Sequence, residues 1–224
     1  MRVDCDKLQP ARSELILGGQ KSGKSRRAEA LAQAWLALSA GHRAMLIATA
    51  RPGDEEMRVR IARHQADRAQ RVPGMTTVEE PVHLAQAIQT HSRADTLIVV
   101  DCLTLWLTKV LMPLDVPPDN GLAASGALAT AGQGAQTCEP NFPTTQVQQE
   151  QTATLLEAIA RAPGPLVLVS NEIGLGVIPL GREVRAFVDA LGLLNQSVAA
   201  TCQRVTLMAA GLPLTLKDTP CAIH

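Results

Sequence analysis

One short segment of the chain combines the residue types that bind phosphate groups. It consists of eight consecutive residues: Gly18, Gly19, Gln20, Lys21, Ser22, Gly23, Lys24 and Ser25. They fit the pattern G-x-x-x-x-G-K-[ST], in which backbone N–H groups surround a phosphate, the lysine reaches the β- and γ-phosphates and the hydroxyl ligates Mg²⁺. An apolar run precedes this phosphate loop and an Ala/Leu-rich segment follows it, so it joins a strand to the positive end of a helix. The segment predicts a nucleoside triphosphate site in which Lys24 is catalytic and Ser25 binds the metal.

A second candidate is the carboxylate of Asp101, which ends the apolar run 96–100. In phosphate-loop enzymes, a carboxylate at the end of a buried strand holds Mg²⁺, directly or through water. We therefore expect Asp101 to be the second metal ligand and the base for an acceptor hydroxyl. The position also suits the N-cap of the helix that follows, and the two roles are compatible.

Pattern alone leaves several other polar positions open. His64 lies in a predicted polar helix, where a lone histidine is more often a surface residue than a nucleophile. Asn171 and Glu172 follow an apolar run, so they either line the crevice at a strand's carboxyl end or cap a turn. The Arg-rich stretch 58–71 also contains acidic residues and is interpreted as a solvated helix face.

The composition argues against several classes of function. Lys plus Arg and Asp plus Glu both number 21, so the neutral chain lacks the basic footprint of a nucleic-acid partner. Aromatic residues make up 2% of the chain and offer few platforms for stacked bases. No apolar run approaches the roughly 18 residues that span a bilayer. The five cysteines show no metal-binding spacing, which favours a reducing, cytoplasmic location with Cys102 and Cys202 buried.

Apolar runs alternate with helical segments along the chain. Strands are expected at 14–17, 44–48, 76–79, 96–101, 165–170, 205–209 and 214–217. Because most of these runs are continuously apolar, they predict a mostly parallel sheet with helices on both faces. The fold class is therefore α/β, a P-loop NTPase fold of the RecA-like type in a single domain. That domain is expected at 14–217, between a flexible N-terminus (1–13) and a C-terminal tail (218–224), with an irregular insertion at 113–145 that is rich in Pro, Gly, Ala, Thr and Gln.

Several stretches together resemble one family, the bifunctional adenosylcobinamide kinase / adenosylcobinamide-phosphate guanylyltransferase of cobalamin biosynthesis. They are 18–25, 47–50, 54–57, 60–64, 100–107, 169–179 and 194–196. Many families share the phosphate loop, whereas Ser-Asn-Glu-x-Gly-x-Gly at 170–176 together with Arg-Ile-x-x-His at 60–64 is far more specific. Apart from the insertion, the resemblance covers residues from about 15 to 217.

The resemblance implies two reactions at one nucleotide site. ATP or GTP phosphorylates the aminopropanol hydroxyl of adenosylcobinamide, and GTP then transfers GMP to the new phosphate, giving adenosylcobinamide-GDP and pyrophosphate. In the family a histidine carries the GMP, and the matching residue here is His64. The resemblance also implies a homotrimer, and it places further residues in the nucleotide site: Ala48, Thr49, Ala50, Arg68, Glu79 and Asp101.

Three positions depart from the family pattern, since Gln65, Val188 and Leu193 stand where basic residues are usual. They keep open a second hypothesis, a small-molecule P-loop kinase without nucleotidyl transfer. A third hypothesis, a RecA-like ATPase that binds nucleic acid or a protein partner, is disfavoured by the neutral charge and the scarce aromatics. Only the first hypothesis requires His64.

Overall fold

The computed structural model describes residues 8–50, 55–111 and 145–219. Its elements, in chain order, are β1 (Ser13–Gly18), α1 (Lys24–Leu38), β2 (Arg43–Ala48), α2 (Glu55–Arg71), β3 (Thr76–Glu79), α3 (Leu84–His91), β4 (Thr96–Asp101), α4 (Leu103–Leu111), α5 (Thr145–Arg161), β5 (Leu166–Val169), α6 (Arg182–Thr201), β6 (Arg204–Ala209) and β7 (Leu212–Asp218). None of these helices is long and apolar enough to cross a membrane.

The described strands form one seven-stranded sheet in the order β3-β2-β4-β5-β1-β6-β7. Neighbouring strands are parallel, except that β7 runs antiparallel to β6. The carboxyl ends of the parallel strands therefore meet at one edge of the sheet, where open α/β folds bind their ligands. This architecture confirms the predicted α/β fold class.

Strand β1 shows how the sheet is buried on both faces. Leu15 and Leu17 pack into the apolar cluster that contains α3, α4, α5 and α6, whereas Ile16 packs into the cluster on the α1 face. None of the three side chains is more than 8% exposed. Helix α2 contacts α1 on that second face. A strand covered on both sides favours consecutive apolar residues, which is the pattern seen at residues 15–17.

The domain begins earlier than the expected boundary at residue 14. Ser13 already belongs to β1. Ala11 is buried, and the Arg12 N–H donates a hydrogen bond of 2.9 Å to the side chain of Gln203. The expectation of a flexible segment up to residue 13 is therefore wrong for residues 11–13. Residues 1–7 and 220–224, together with 112–144 and hence nearly all of the predicted insertion, lie outside the described residues.

A buried ion pair holds α1 against β1. Because the phosphate loop joins these two elements, the pair also fixes both ends of that loop. Glu14 is fully buried, and its Oε1 accepts hydrogen bonds from Arg27 Nε at 3.0 Å and from the Thr206 hydroxyl at 2.7 Å. Arg204 Nη1 lies 3.6 Å from the other carboxylate oxygen. A buried carboxylate requires such partners because removing it from water is costly.

Replacing Arg27 by methionine should lower the free energy of unfolding by about 3 kcal/mol, the low end for breaking a buried ion pair. The low end is expected because Arg204 still lies near Glu14. The double variant Glu14→Gln, Arg27→Met should recover part of the loss, since no charge stays buried without a partner. Urea unfolding of all three proteins at one protein concentration measures this. A loss below about 1 kcal/mol would mean that the pair behaves like a surface salt bridge.

Candidate functional site

The phosphate loop surrounds its own lysine. Lys24 is 8% exposed, and its Nζ donates hydrogen bonds to the carbonyl oxygens of Gly18 at 2.8 Å and Gly19 at 2.6 Å. Burial lowers the pKa of Lys24 below its ordinary value, while Cys102 and Asp101 oppose that shift. The ammonium group is thus held within the loop, where the oxygens of a triphosphate would meet it.

Two glycines give the loop its shape. Gly18 and Gly23 have φ angles of 150° and 104°. A Cβ atom on Gly18 would lie 2.5 Å from the carbonyl oxygen of Met208, so no side chain fits there. Gly23 caps α1 without a side-chain hydrogen bond, which leaves N–H groups of the first turn available to an anion. The N–H of Gly211, in the turn between β6 and β7, supports the loop through a 3.0 Å hydrogen bond to the Ser22 carbonyl.

A cleft beside the phosphate loop collects polar side chains from three elements. Ser25 and Glu29 come from α1, Arg68 from α2 and Asp101 from β4. Hydroxyl and carboxylate oxygens are the ligands that Mg²⁺ prefers, so Ser25 and Asp101 fit the metal role predicted for them. Among the described residues, no three His, Cys, Asp or Glu side chains cluster to hold a metal.

Thr49 supports the strand end that carries Asp101. It is fully buried, and its hydroxyl accepts a 2.7 Å hydrogen bond from the N–H of Cys102 and donates one of 2.8 Å to the Cys102 carbonyl. The Thr49 N–H donates to the carbonyl of Asp101 at 3.1 Å. Because the Thr49 hydroxyl both donates to and accepts from the backbone of Cys102, it holds the strand end beside Asp101 in position.

Cys102, next to Asp101, is buried as predicted. Burial raises the pKa of its thiol above the ordinary value. The thiol therefore stays protonated at neutral pH, and a protonated thiol is neither a good nucleophile nor a metal ligand. Cys202 is also buried, which confirms the prediction for both residues.

The end of β5 contacts the phosphate loop. The Ser170 hydroxyl donates to Asn195 Oδ1 at 2.7 Å, and Asn195 Nδ2 donates to the carbonyl of Asn171 at 3.0 Å. The N–H of Glu172 donates to the carbonyl of Gly18 at 3.1 Å. Asn171 and Glu172 thus lie at the crevice edge of the sheet, beside the loop that binds phosphate.

Helix α2 faces the same cleft. Arg68 is only 9% exposed, and its Nη2 lies 3.9 Å from Asp101 Oδ2. The expectation that the arginines of 58–71 form a solvated face is therefore wrong for Arg68. His64 occupies the position one helical turn before Arg68, so residue 64 belongs to the same face of α2. The side chain of His64 lies outside the described residues.

Glu29 is a cleft residue that was not predicted. Its side chain is nearly buried, and its Oε2 accepts a 2.9 Å hydrogen bond from Arg71 Nη1. The pair connects α1 to the last turn of α2. The signal in the sequence is spacing, because Glu29 follows Ser25 by four residues and so shares its helix face.

The remaining predicted positions lie at the same edge of the sheet. Ala48 is paired in register with Asp101 on one side and with Glu79 on the other. Glu79 is exposed and Ala50 is partly buried. The tertiary structure thus places the ends of β2, β3 and β4 at the same edge of the sheet as the phosphate loop, with β5 between β4 and β1.

Comparison with known proteins covers nearly the whole chain. Residues 14–216 match the family described as cobinamide kinase / cobinamide phosphate guanyltransferase. The bifunctional adenosylcobalamin biosynthesis protein CobP of Pseudomonas aeruginosa is 41% identical over 208 residues, which are 92% of this chain and 98% of that protein. The CobU proteins of Escherichia coli and Salmonella typhimurium, with the same description, are 31% and 30% identical over 91% of this chain and 98% of their own lengths.

Replacing Thr49 by valine should weaken metal-dependent nucleotide binding. The buried N–H and C=O of Cys102 would lose their partner, and Asp101 beside them would lose its fixed position. We expect the Mg²⁺ concentration for half-maximal GTP binding to rise about 10-fold, as when a residue that orients a metal ligand is removed. Thr49→Ser keeps the hydroxyl and should stay near wild type. Equal Mg²⁺ dependence of the two variants in titrations with a fluorescent GTP analogue would contradict this role.

Proposed function

The chain belongs to the cobinamide kinase / cobinamide phosphate guanyltransferase family, and we propose that the cleft between the phosphate loop and Asp101 serves both of its transfer reactions. The substrates are adenosylcobinamide and then adenosylcobinamide phosphate, with ATP or GTP as the phosphate donor and GTP as the GMP donor. The observation that supports one shared cleft is the meeting of Ser25, Arg68 and Asp101 in it, since these residues come from three different elements.

The kinase step needs a held triphosphate and an acceptor hydroxyl in line with its γ-phosphorus. The N–H groups of the phosphate loop and the N-terminus of α1 bind the phosphates, and Lys24 offsets the charge that develops as the γ-phosphoryl group leaves. The hydroxyl oxygen forms the new bond to phosphorus while the bond to the β-phosphate oxygen breaks. Asp101, whose side chain is 30% exposed toward the cleft, is the base that we propose for the hydroxyl proton.

Magnesium belongs to the same proposal. Ser25 and Asp101 would hold the ion, which neutralises charge on the phosphates when it is bound. Arg68 approaches Asp101 to 3.9 Å and adds a second positive group to this side of the cleft. It is well placed to contact phosphate oxygens, in keeping with its predicted place in the nucleotide site.

The guanylyl transfer proceeds through His64 in this proposal. A neutral imidazole nitrogen attacks the α-phosphorus of GTP, the bond to the β-phosphate oxygen breaks and pyrophosphate leaves. A phosphate oxygen of adenosylcobinamide phosphate then attacks the same phosphorus, and the P–N bond breaks to release adenosylcobinamide-GDP. Support comes from helical register, because residue 64 shares a face of α2 with Arg68, which reaches Asp101.

A kinase without nucleotidyl transfer is the alternative that the three departures from the family pattern leave open. Leu193 is 63% exposed on α6, Val188 is partly buried on the same helix, and Gln65 is exposed on α2. None of the three lies among the residues that line the cleft. The two hypotheses differ in whether His64 is needed, so its replacement decides between them.

Incubation with GTP and Mg²⁺ should add the mass of one GMP to the wild-type protein, and His64→Ala should abolish the gain. The adduct should be labile to acid because the P–N bond of a phosphoramidate hydrolyses when it is protonated. Intact-protein mass spectrometry measures the gain. Kinase activity of His64→Ala on adenosylcobinamide should stay within a few-fold of wild type.

His83→Ala provides the matched control, since His83 is an exposed histidine just before α3, and this variant should form the adduct like wild type. An adduct that persists in His64→Ala would assign the nucleophile to another residue. Wild-type protein that binds GTP without forming an adduct would favour the simpler kinase.

We also infer that three copies of the chain assemble and work in the cytoplasm. The trimer follows from the family resemblance, and the edge strand β7 supports self-association. Its Leu212, Leu214 and Leu216 are 63%, 57% and 55% exposed and alternate along the strand, so they share one face. An apolar edge strand left open to solvent invites aggregation, and another copy of the chain would cover it.

The proposed cytoplasmic location follows from the cysteine pattern, which favours a reducing compartment. No nucleic-acid partner is expected.

Light scattering should give a mass of about three times the 23.8 kDa chain. Leu214→Lys should shift the protein toward single chains, because a charge cannot be buried between apolar surfaces at low cost. Leu38→Lys is the matched control, since Leu38 is also an exposed leucine, at 63%, on the last turn of α1. A wild-type mass of one chain would contradict the trimer. Equal masses for Leu214→Lys and Leu38→Lys would show that β7 is not part of the subunit interface.

A further inference from the structure

The loop that follows β5 exposes an unusual amount of apolar surface. Between Glu172 and Arg182 the chain has no charged side chain. Within this apolar loop (residues 173–180) the most exposed side chains are Leu175 at 82%, Val177 at 96%, Ile178 at 77% and Leu180 at 97%. Single exposed apolar residues are ordinary, whereas a contiguous group marks a surface that binds something.

Hydrogen bonds hold the apolar loop at both ends. At its start, the N–H of Gly174 donates to Glu172 Oε1 at 2.8 Å. At its end, Arg185 Nη1 donates to the carbonyl oxygens of Pro179 at 2.9 Å and Leu180 at 2.5 Å. The exposed side chains are therefore presented from an anchored backbone, which reduces the entropy that a ligand must remove on binding.

The apolar loop begins beside the phosphate loop. The N–H of Glu172 donates to the Gly18 carbonyl at 3.1 Å, and the same oxygen accepts the 2.8 Å hydrogen bond from Lys24 Nζ. A large molecule that rests on residues 173–180 can therefore extend a polar arm to a triphosphate in the loop. The apolar loop therefore lies where the molecule that accepts the phosphoryl group would have to bind.

We propose that the apolar loop is the docking surface for the corrinoid ring of the acceptor, an inference that rests on the proposed function. A corrinoid is a broad macrocycle with a hydrocarbon rim and neutral amide side chains, and its aminopropanol arm carries the hydroxyl. Apolar side chains such as Leu175 and Ile178 suit the hydrocarbon rim. Gly176 is exposed, and apart from its chain neighbours no described heavy atom lies within 4 Å of where a Cβ would stand.

A second copy of the chain is the competing occupant. The exposed leucines of β7 already provide apolar surface for assembly, and β7 is the edge strand of the sheet, three positions from β5. The apolar loop, by contrast, adjoins the phosphate site through Glu172. Continuity with that site favours the substrate over a neighbouring chain.

The double variant Leu175→Asn, Ile178→Asn tests the proposal, with Leu38→Asn as the control. All three side chains are more than 60% exposed, so the substitutions leave the core intact. Leu38 lies at the end of α1 opposite to the phosphate loop. Equilibrium dialysis with adenosylcobinamide, followed by its visible absorption, gives Kd for each protein. Affinity for GTP and mass by light scattering are measured on the same samples.

The double variant should bind adenosylcobinamide at least about 10-fold more weakly, because each lost aliphatic side chain removes buried apolar contact. Its affinity for GTP and its mass should equal those of wild type and of Leu38→Asn. An unchanged Kd for adenosylcobinamide would overturn the proposal, and so would a smaller assembled mass, which would make the loop a subunit contact. Wild-type protein that binds GTP but no adenosylcobinamide would instead overturn the proposed function itself.

Discussion

The carbonyl oxygen of Gly18 is the point on which the site depends. It accepts hydrogen bonds from the Lys24 ammonium at 2.8 Å and from the N–H of Glu172 at 3.1 Å. One oxygen thereby joins the end of β1, the lysine that meets the phosphates and the loop after β5. No side chain is tolerated at this glycine, because a Cβ would lie 2.5 Å from the backbone of β6. The close approach of two strands therefore sets the geometry of the phosphate loop.

The two sides of the cleft are held by different kinds of contact. On the side of the sheet, Thr49 fixes the Asp101 segment through hydrogen bonds that are fully buried. On the side of α2, the contacts are ion pairs, Arg68 with Asp101 and Arg71 with Glu29. Among the described residues, the helix that carries His64 thus contacts the cleft through charged side chains, whereas the phosphate loop is held by backbone hydrogen bonds at the ends of buried strands.

Two kinds of surface meet at the carboxyl edge of the sheet. The cleft lined by Ser25, Arg68 and Asp101 is small, and its charged and hydroxyl groups stand on an otherwise apolar wall. The apolar loop beside it exposes aliphatic side chains and carries no charge, and it is the surface that we propose for the corrinoid ring. Since β1 and β5 are neighbours in the sheet, the loops after them are adjacent. Strand order thus brings the phosphate loop and the apolar loop side by side at one edge of the sheet.

The sequence by itself determined what depends on neighbouring residues. The bounds of β3 and β4 were predicted correctly, and the phosphate loop was recognised with its lysine and hydroxyl, because a strand, a turn and a helix are local structures. His64 was assigned through family resemblance, since a lone histidine on a helix has no distinctive local pattern. Only the tertiary structure decided the antiparallel β7, the burial of Arg68, and the pairing of Thr49 with Cys102 and of Glu29 with Arg71, whose partners are 53 and 42 residues apart. Contacts at such separations are set by strand order and helix packing, which local patterns do not specify.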